Sequence, residues 1–190
     1  MKHKLLMLTV ALSCSFAGSA MAMTKAEYKT EETRISGDYK LAKEKCSSLK
    51  ANAKDICTAE AKGVEKVAKA EAKAQYEPSA KHTQSVSLAK ADAAYNIAKE
   101  KCDDLSGNAK DVCVKDAKVV HVKAKDDAKI AKVSADSSTT KTDKMAAVKK
   151  EAGADEREAL FKAAKERCDS LAGTPKDNCQ NEAKVKYGMK

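Results

Sequence analysis

The sequence predicts an all-α protein of three disulfide-stapled αα-hairpin repeats in series, elongated or loosely bundled. The first observation is composition: 34% of the residues are charged, 4% are aromatic, and there is no Trp. Ala, Lys and Glu dominate the chain and are strong helix formers. With so few large apolar side chains, helices of this kind need a neighbour and an additional constraint. Cysteines are the obvious candidates for that constraint.

The second observation is a unit that occurs three times, at residues 39–62, 95–118 and 161–184. Each unit contains two cysteines eleven positions apart, an aromatic residue seven positions before the first cysteine, and a leucine three positions after it. The cysteines are Cys46 and Cys57, Cys102 and Cys113, and Cys168 and Cys179. Matches at fixed offsets in rare residue types indicate an internal repeat.

Each cysteine pair is incompatible with one continuous helix. Two residues eleven positions apart on a helix would be separated by about 16 Å along the axis, whereas a disulfide needs Cα atoms within about 7 Å. A corner between the cysteines would bring them together, one on each arm of a hairpin. We therefore predict the disulfides Cys46–Cys57, Cys102–Cys113 and Cys168–Cys179.

The residues between the cysteines have the chemistry of such a corner. Glycine suits a helix end that needs positive φ, and Asn or Thr suits the N-cap of the next helix. The second corner offers Gly107, with Asn108 as cap and Asp111 in the first turn. The third offers Gly173, Thr174 as cap, Pro175 at the first helical position, and Asp177.

The first corner departs from this pattern at one position. Asn52 and Asp55 keep the predicted cap and acidic residue, but Ala51 stands where the other two corners have glycine. We expect this corner to be slightly strained or to use a different turn.

Other uses of the cysteines fit less well. A zinc site usually has Cys-x2–4-Cys pairs or supporting histidines, and a redox enzyme favours Cys-x-x-Cys. His82 and His121 lie outside the repeated units, and we expect isolated surface histidines. We therefore predict no catalytic residues, no metal site and no cofactor.

The N-terminus has the pattern of a secretory signal peptide. Lys2 and Lys4 precede a short apolar run, and Ala20-Met21-Ala22 forms an Ala-x-Ala cleavage site. We expect cleavage near Ala22 and a periplasmic or secreted chain. Cys14 fits a lipoprotein motif only loosely, because that motif favours Leu where Ala11 stands. Six cysteines remain, an even number that points to disulfides in an exported protein.

The organisation that follows has five parts. They are a signal peptide at 1–22, hairpin repeats at 23–76 and 77–133, a linker at 134–143, and a third hairpin repeat at 144–190. The predicted helices are 24–50, 53–76, 84–106, 109–133, 144–172 and 175–187. One predicted stripe of the fourth helix runs through Cys113, Val120 and Ala128 and packs on the third.

The formal net charge of +9 suits weak attraction to polyanions. We expect no specific nucleic-acid binding, because there is no recognisable nucleic-acid fold or aromatic platform. No stretch of the chain is apolar enough for a transmembrane helix.

The unit YNIAKEKCDDLSGNAKDVCVKDAK resembles small exported Ala/Lys-rich proteins of proteobacteria, often labelled TolA-like cell-envelope proteins. The resemblance implies an envelope location and no known catalytic residues. The favoured hypothesis is a non-catalytic envelope protein with a structural or interaction role and an unknown protein partner. The alternative is a basic module that binds anionic envelope surfaces, such as lipopolysaccharide or phospholipid head groups.

Overall fold

The computed structural model describes residues 22–190, which form six α-helices and, within that range, no strand. The predicted signal peptide, except Ala22, and Cys14 lie outside the described residues. The helices are α1 (Lys25–Cys46), α2 (Ala51–Tyr76), α3 (Ala80–Cys102), α4 (Gly107–Ser134), α5 (Lys141–Cys168) and α6 (Thr174–Tyr187). Helices α1 and α2 form hairpin 1, α3 and α4 hairpin 2, and α5 and α6 hairpin 3.

The helices pack in the order in which they follow one another along the chain. Each described helix contacts only the helix before it and the helix after it. Neighbours are antiparallel: Glu60 on α2 pairs with Lys101 on α3, and Glu71, further along α2, pairs with Lys90, which comes earlier in α3. The result is a single-file, loose bundle, which confirms the predicted fold class. All three cysteine corners lie along one edge of this array.

The first helix of each hairpin ends at its cysteine, four residues earlier than predicted. The N–H of Ser47 donates to the carbonyl of Glu44, and the N–H of Leu49 donates to that of Cys46. These i to i+3 bonds tighten the chain into a turn and end α1. Equivalent bonds follow Cys102 and Cys168.

The connections between hairpins are shorter than the sequence predicted. Helix α3 begins at Ala80 rather than 84, because Ser79 directly after Pro78 accepts the N–H of His82 and caps the helix. Between α4 and α5 only residues 135–140 are non-helical. There Asp136 accepts the N–H of Ser138 and an ammonium hydrogen of Lys144. These bonds, led by the one from Lys144, lower the pKa of Asp136 to about 2.

The core is made mostly of alanine. Among the described residues, the buried apolar set is Ile35, nine alanines and the three first cysteines of the pairs. Small side chains let the helices approach closely but bury little area each. One close approach joins α2 and α3, where a Cβ built on Gly63 would lie 2.9 Å from the Cβ of Ala93.

The predicted stripe on α4 was only partly correct. Cys113 lies in the disulfide and Ala128 is buried, but Val120 is 66% exposed, and its neighbour His121 is buried instead. Helix α4 contacts α3 on one side and α5 on the other. One stripe could not describe both contacts, and Val120 lies on a face that neither neighbour covers.

We predict that Gly63→Ala destabilises the protein, because the added methyl group overlaps Ala93. Overpacking of this kind costs about 1–3 kcal/mol, more than alanine gains over glycine in helix propensity. Gly37 is the matched control, since a Cβ there meets nothing within 4 Å, and Gly37→Ala should stabilise by up to about 1 kcal/mol. Urea unfolding followed by circular dichroism measures both. Equal stabilisation by the two variants would refute the close approach.

Candidate functional site

The three cysteine corners are copies of one structure. Each joins the last residue of one helix to a residue in the second turn of the next, and the Cα atoms of the paired cysteines are 5.6, 5.7 and 5.7 Å apart. The predicted pairing is confirmed. The first cysteine of each pair is 1% exposed and the second is half-buried, so the bridge is shielded mainly on the side of the first helix. Disulfides persist in oxidising compartments and therefore point to an extracytoplasmic location.

One residue in each corner has a positive φ, which turns the chain into the second helix. Gly107 has φ +56° and Gly173 has φ +59°, as the sequence predicted. Ala51 has φ +48° and is the one non-glycine residue in this region of backbone space among the described residues. The first corner therefore keeps the same turn, and its alanine carries the strain that glycine avoids.

The predicted helix caps were wrong. The N-cap positions are Lys50, Ser106 and Gly173, and none has a side-chain capping bond. Because the positive-φ residue turns the chain sharply, the second helix begins at once. Asn52 and Asn108 are consequently second residues of α2 and α4, and Thr174 is the first residue of α6.

Because the helices begin earlier than predicted, the acidic residues and the proline of the corners occupy other helical positions than the sequence predicted. Asp55 and Asp111 are fifth residues of their helices and lie outside the first turn. Asp177 does lie in the first turn of α6. Pro175 is the second helical residue rather than the first. The prediction of caps failed because it placed each helix start one or two residues too late.

We predict that Ala51→Gly stabilises hairpin 1, because it removes the cost of a left-handed alanine, about 1–2 kcal/mol. Gly107→Ala introduces the same strain in hairpin 2 and should destabilise by a similar amount. Thermal unfolding of the oxidised variants measures the two effects, which should have opposite signs. A neutral Ala51→Gly together with a destabilising Gly107→Ala would show that the first corner is not strained.

The two corner asparagines connect one hairpin to the next. Asn52 Nδ2 donates to the carbonyl oxygen of Glu100 at 2.7 Å and to Asp104 Oδ1 at 2.8 Å. Asn108 Nδ2 donates in the same way to the carbonyl oxygen of Glu166 at 2.8 Å. Both carbonyls lie in the last turn of a helix and already accept one local backbone N–H, from Asp103 and from Asp169 respectively. The asparagine donates to the second lone pair of each carbonyl oxygen. Each asparagine thus caps the C-terminus of the following hairpin's first helix.

The two outer hairpins of the described chain each lack one side of this bridge. In hairpin 3, Thr174 stands at the repeat position of Asn52 and Asn108. In hairpin 1, the carbonyl of Glu44, at the repeat position of Glu100 and Glu166, accepts a bond from the hydroxyl of Ser47 at 2.6 Å. Within residues 22–190, asparagine therefore occurs at this position only where a following hairpin can accept its bond.

We predict that Asn52→Ala lowers the free energy of unfolding by about 1–3 kcal/mol, because it removes two hydrogen bonds between hairpins, to the Glu100 carbonyl and to the Asp104 carboxylate, each of which contributes about 0.5–1.5 kcal/mol. Thr174→Ala is the matched control, since the same repeat position makes no contact with a further hairpin, and it should change stability far less. Hydrogen exchange measures where the loss occurs. Exchange should accelerate at the α2–α3 contact in Asn52→Ala; an effect confined to α2 would contradict the bridge.

His121 is a buried residue that the sequence reasoning misjudged as isolated on the surface. It is 7% exposed, its ring stacks on Tyr95 with centroids 4.5 Å apart, and its Nε2 lies 2.6 Å from Asp92 Oδ1. Lys118 lies on the other side, with Nζ 3.4 Å from Nδ1. Tyr95 is the repeated aromatic residue seven positions before Cys102. The helix face that carries it was the one feature of the sequence that could have indicated a buried partner for His121. The cluster ties α3 to α4.

A second charged cluster joins hairpins 2 and 3. Lys129 Nζ on α4 lies 2.9 Å from Glu151, 3.1 Å from Asp126 and 3.5 Å from Asp155. These carboxylates, chiefly Glu151 and then Asp126, raise the pKa of Lys129. Asp126 is 4% exposed, and its Oδ2 is buried without a hydrogen-bond partner. One ammonium group thus holds together carboxylates from two helices.

The side chains that usually bind metals do not converge in residues 22–190, where no group of three or more His, Cys, Asp or Glu is placed to hold an ion. None of the helices in the described part of the chain is long and apolar enough to cross a membrane.

Comparisons of this chain with protein-family models, with curated proteins and with solved structures found no match.

Proposed function

We propose that this chain is a non-catalytic cell-envelope protein with a structural or protein-interaction role, periplasmic or secreted after cleavage near Ala22. The single-file packing of the helices supports this proposal most directly. Since each helix contacts only its chain neighbours, both broad faces of the array are left to solvent. Repeat proteins of this kind use such extended faces to bind partners.

Repeated apolar residues on the exposed surface support an interaction role. Val64 and Val120 occupy the same position, seven residues after the second cysteine of hairpins 1 and 2, and are 70% and 66% exposed. Leucines recur at the three corners, 40–46% exposed: Leu49, Leu105 and Leu171. Apolar side chains that recur at matching exposed positions are candidates for contacts with a protein partner.

The envelope location is supported by features other than the packing. The three disulfides suit an oxidising compartment, and the N-terminal sequence has the pattern of a signal peptide. The resemblance to exported Ala/Lys-rich proteins labelled TolA-like implies the same location.

We predict that protein isolated from the periplasm without reductant begins near Met23 and has three disulfides, and that it captures a protein partner. The double variant Val64→Ser/Val120→Ser should lose the partner while keeping its helicity. Val185→Ser is the control, because Val185 is 83% exposed at a different repeat position. Crosslinking in intact cells followed by mass spectrometry measures capture.

Two outcomes would contradict this proposal. If the six cysteines are free thiols in protein from the envelope fraction, the disulfide-closed hairpin is not the functional form of the protein. If the wild type and the double valine variant capture the protein partner equally, the repeated valines are not the contact surface.

The alternative proposal is a basic module that binds anionic envelope surfaces, and a charge excess on α4 favours it. This helix has seven lysines and four acidic residues. Such attraction is long-range and screened by salt.

We predict for this alternative that binding to vesicles of anionic phospholipid or to lipopolysaccharide weakens steeply between low and physiological salt. Co-sedimentation at several salt concentrations measures this, with zwitterionic vesicles as the control. Binding that does not respond to salt would exclude the alternative, as would equal binding to the zwitterionic vesicles.

A further inference from the structure

A groove between α1 and α2 is lined mainly by apolar side chains. Its volume is about 460 Å³, within the range of small-molecule sites. Ile35 lines it and is 3% exposed, whereas Val64 at its rim is 70% exposed. Tyr39 lines the same space and is half-buried. We call this space the α1–α2 groove.

The repeat itself shows what fills the corresponding place in hairpin 2. Tyr39 and Tyr95 each lie seven residues before the first cysteine of their hairpin. Eight residues after the second cysteine, hairpin 2 has His121, whose ring lies against Tyr95 with an interplanar angle of 10°. Its Nε2 contacts Asp92. A flat ring with a basic nitrogen therefore fits this position of the fold.

Hairpin 1 has the tyrosine but lacks the ring that would cover it. Glu65 stands at the position of His121, and Ser36 stands at that of Asp92. Hairpin 3 has Phe161 and Tyr187 at these two positions, but of the corresponding pairs in the described hairpins only Tyr95 and His121 stack. Within the described chain, Tyr39 stacks on no aromatic residue, in contrast to Tyr95.

The carboxylate of Glu65 at the rim can accept a hydrogen bond from a basic nitrogen of the occupant. Three carboxylates and two basic side chains line the groove: Asp38, Glu60 and Glu65, and Arg34 and Lys45. Each of these carboxylates already pairs with a base: Asp38 with Arg34, Glu60 with Lys101 and Glu65 with Lys69. Glu65 Oε1 accepts from Lys69 at 2.6 Å, and a carboxylate has acceptor capacity for a further donor.

We propose that the α1–α2 groove binds a small planar aromatic molecule that carries a basic nitrogen. Its ring lies on Tyr39 as His121 lies on Tyr95, and its basic nitrogen is directed toward Glu65. The interaction combines aromatic stacking with a charge-assisted hydrogen bond. This proposal does not depend on the envelope location, and it shares Val64 with the proposed protein contact surface.

The first experiment compares three probes on the oxidised protein by NMR titration. Benzamidine is flat and cationic, benzoate is flat and anionic, and cyclohexylamine is cationic but not flat. Benzamidine should shift the resonances of Tyr39 and Val64 and bind at least about fivefold more tightly than the other two, the range expected of one stacking contact. Equal binding of cyclohexylamine or benzoate would overturn the proposal.

Variants then locate the site. Tyr39→Leu keeps apolar bulk but removes the ring, and should weaken benzamidine binding about five- to tenfold. Val64→Ala should weaken it by a smaller factor. Val120→Ala is the matched control at the same repeat position of hairpin 2, and should leave binding unchanged. Equal losses in Val64→Ala and Val120→Ala would contradict the α1–α2 groove as the site.

A last variant rebuilds the hairpin 2 arrangement inside hairpin 1. In Glu65→His/Ser36→Asp, the new imidazole should cover Tyr39 and contact the new carboxylate, as His121 and Asp92 do. Benzamidine binding should fall at least about tenfold, since the ring site is occupied by the chain itself, while thermal stability is kept or raised. Undiminished benzamidine binding by this folded variant would overturn the proposal.

Discussion

The disulfide at each corner is the constraint on which the rest of the structure depends. An alanine core gives each pair of helices little apolar area to bury. A bridge that closes a loop of about twelve residues stabilises by roughly 3 kcal/mol in the chain-entropy model, a large share of the stability of an ordinary domain. The bridge also holds the two arms in register, so that side chains such as Tyr95 and His121, far from the corner, meet reliably.

Contacts between hairpins are a second set of interactions, and they depend on the geometry of the disulfide-closed corners. Asn52 and Asn108 reach the ends of α3 and α5 only because the corner turns the chain so sharply that they lie at the beginning of a helix. In the outer hairpins of the described chain, Ser47 donates to the carbonyl of Glu44 instead, and Thr174 stands at the asparagine position. The cluster around Lys129 adds a second contact between hairpins 2 and 3.

The sequence was sufficient for the features that depend on local spacing. The cysteine pairing and the hairpins follow from the spacing of eleven residues between the cysteines. The positive φ at Gly107 and Gly173 follows from the glycines between them. The roles of Asn108 and His121 did not, because each depends on a helix from another part of the chain. An asparagine beside glycine has the same sequence pattern whether it caps its own helix or a neighbouring one. Burial of His121 depends on the position of Tyr95 across the α3–α4 contact, which a single helical stripe does not encode.

The position of the bridges also determines how the chain responds to force. If the two ends of the described chain are pulled apart, helices can detach from one another in sequence, since no helix holds any but its neighbours. The segment inside each bridge cannot extend, because its ends are covalently joined. Eleven residues span at most about 36–40 Å when fully extended. While the disulfide is closed, the segment between the two cysteines cannot contribute most of this length to the extended chain. Reduction of one bridge would release its segment alone, so the oxidation state of the cysteines sets the extended length of the molecule in three equal steps.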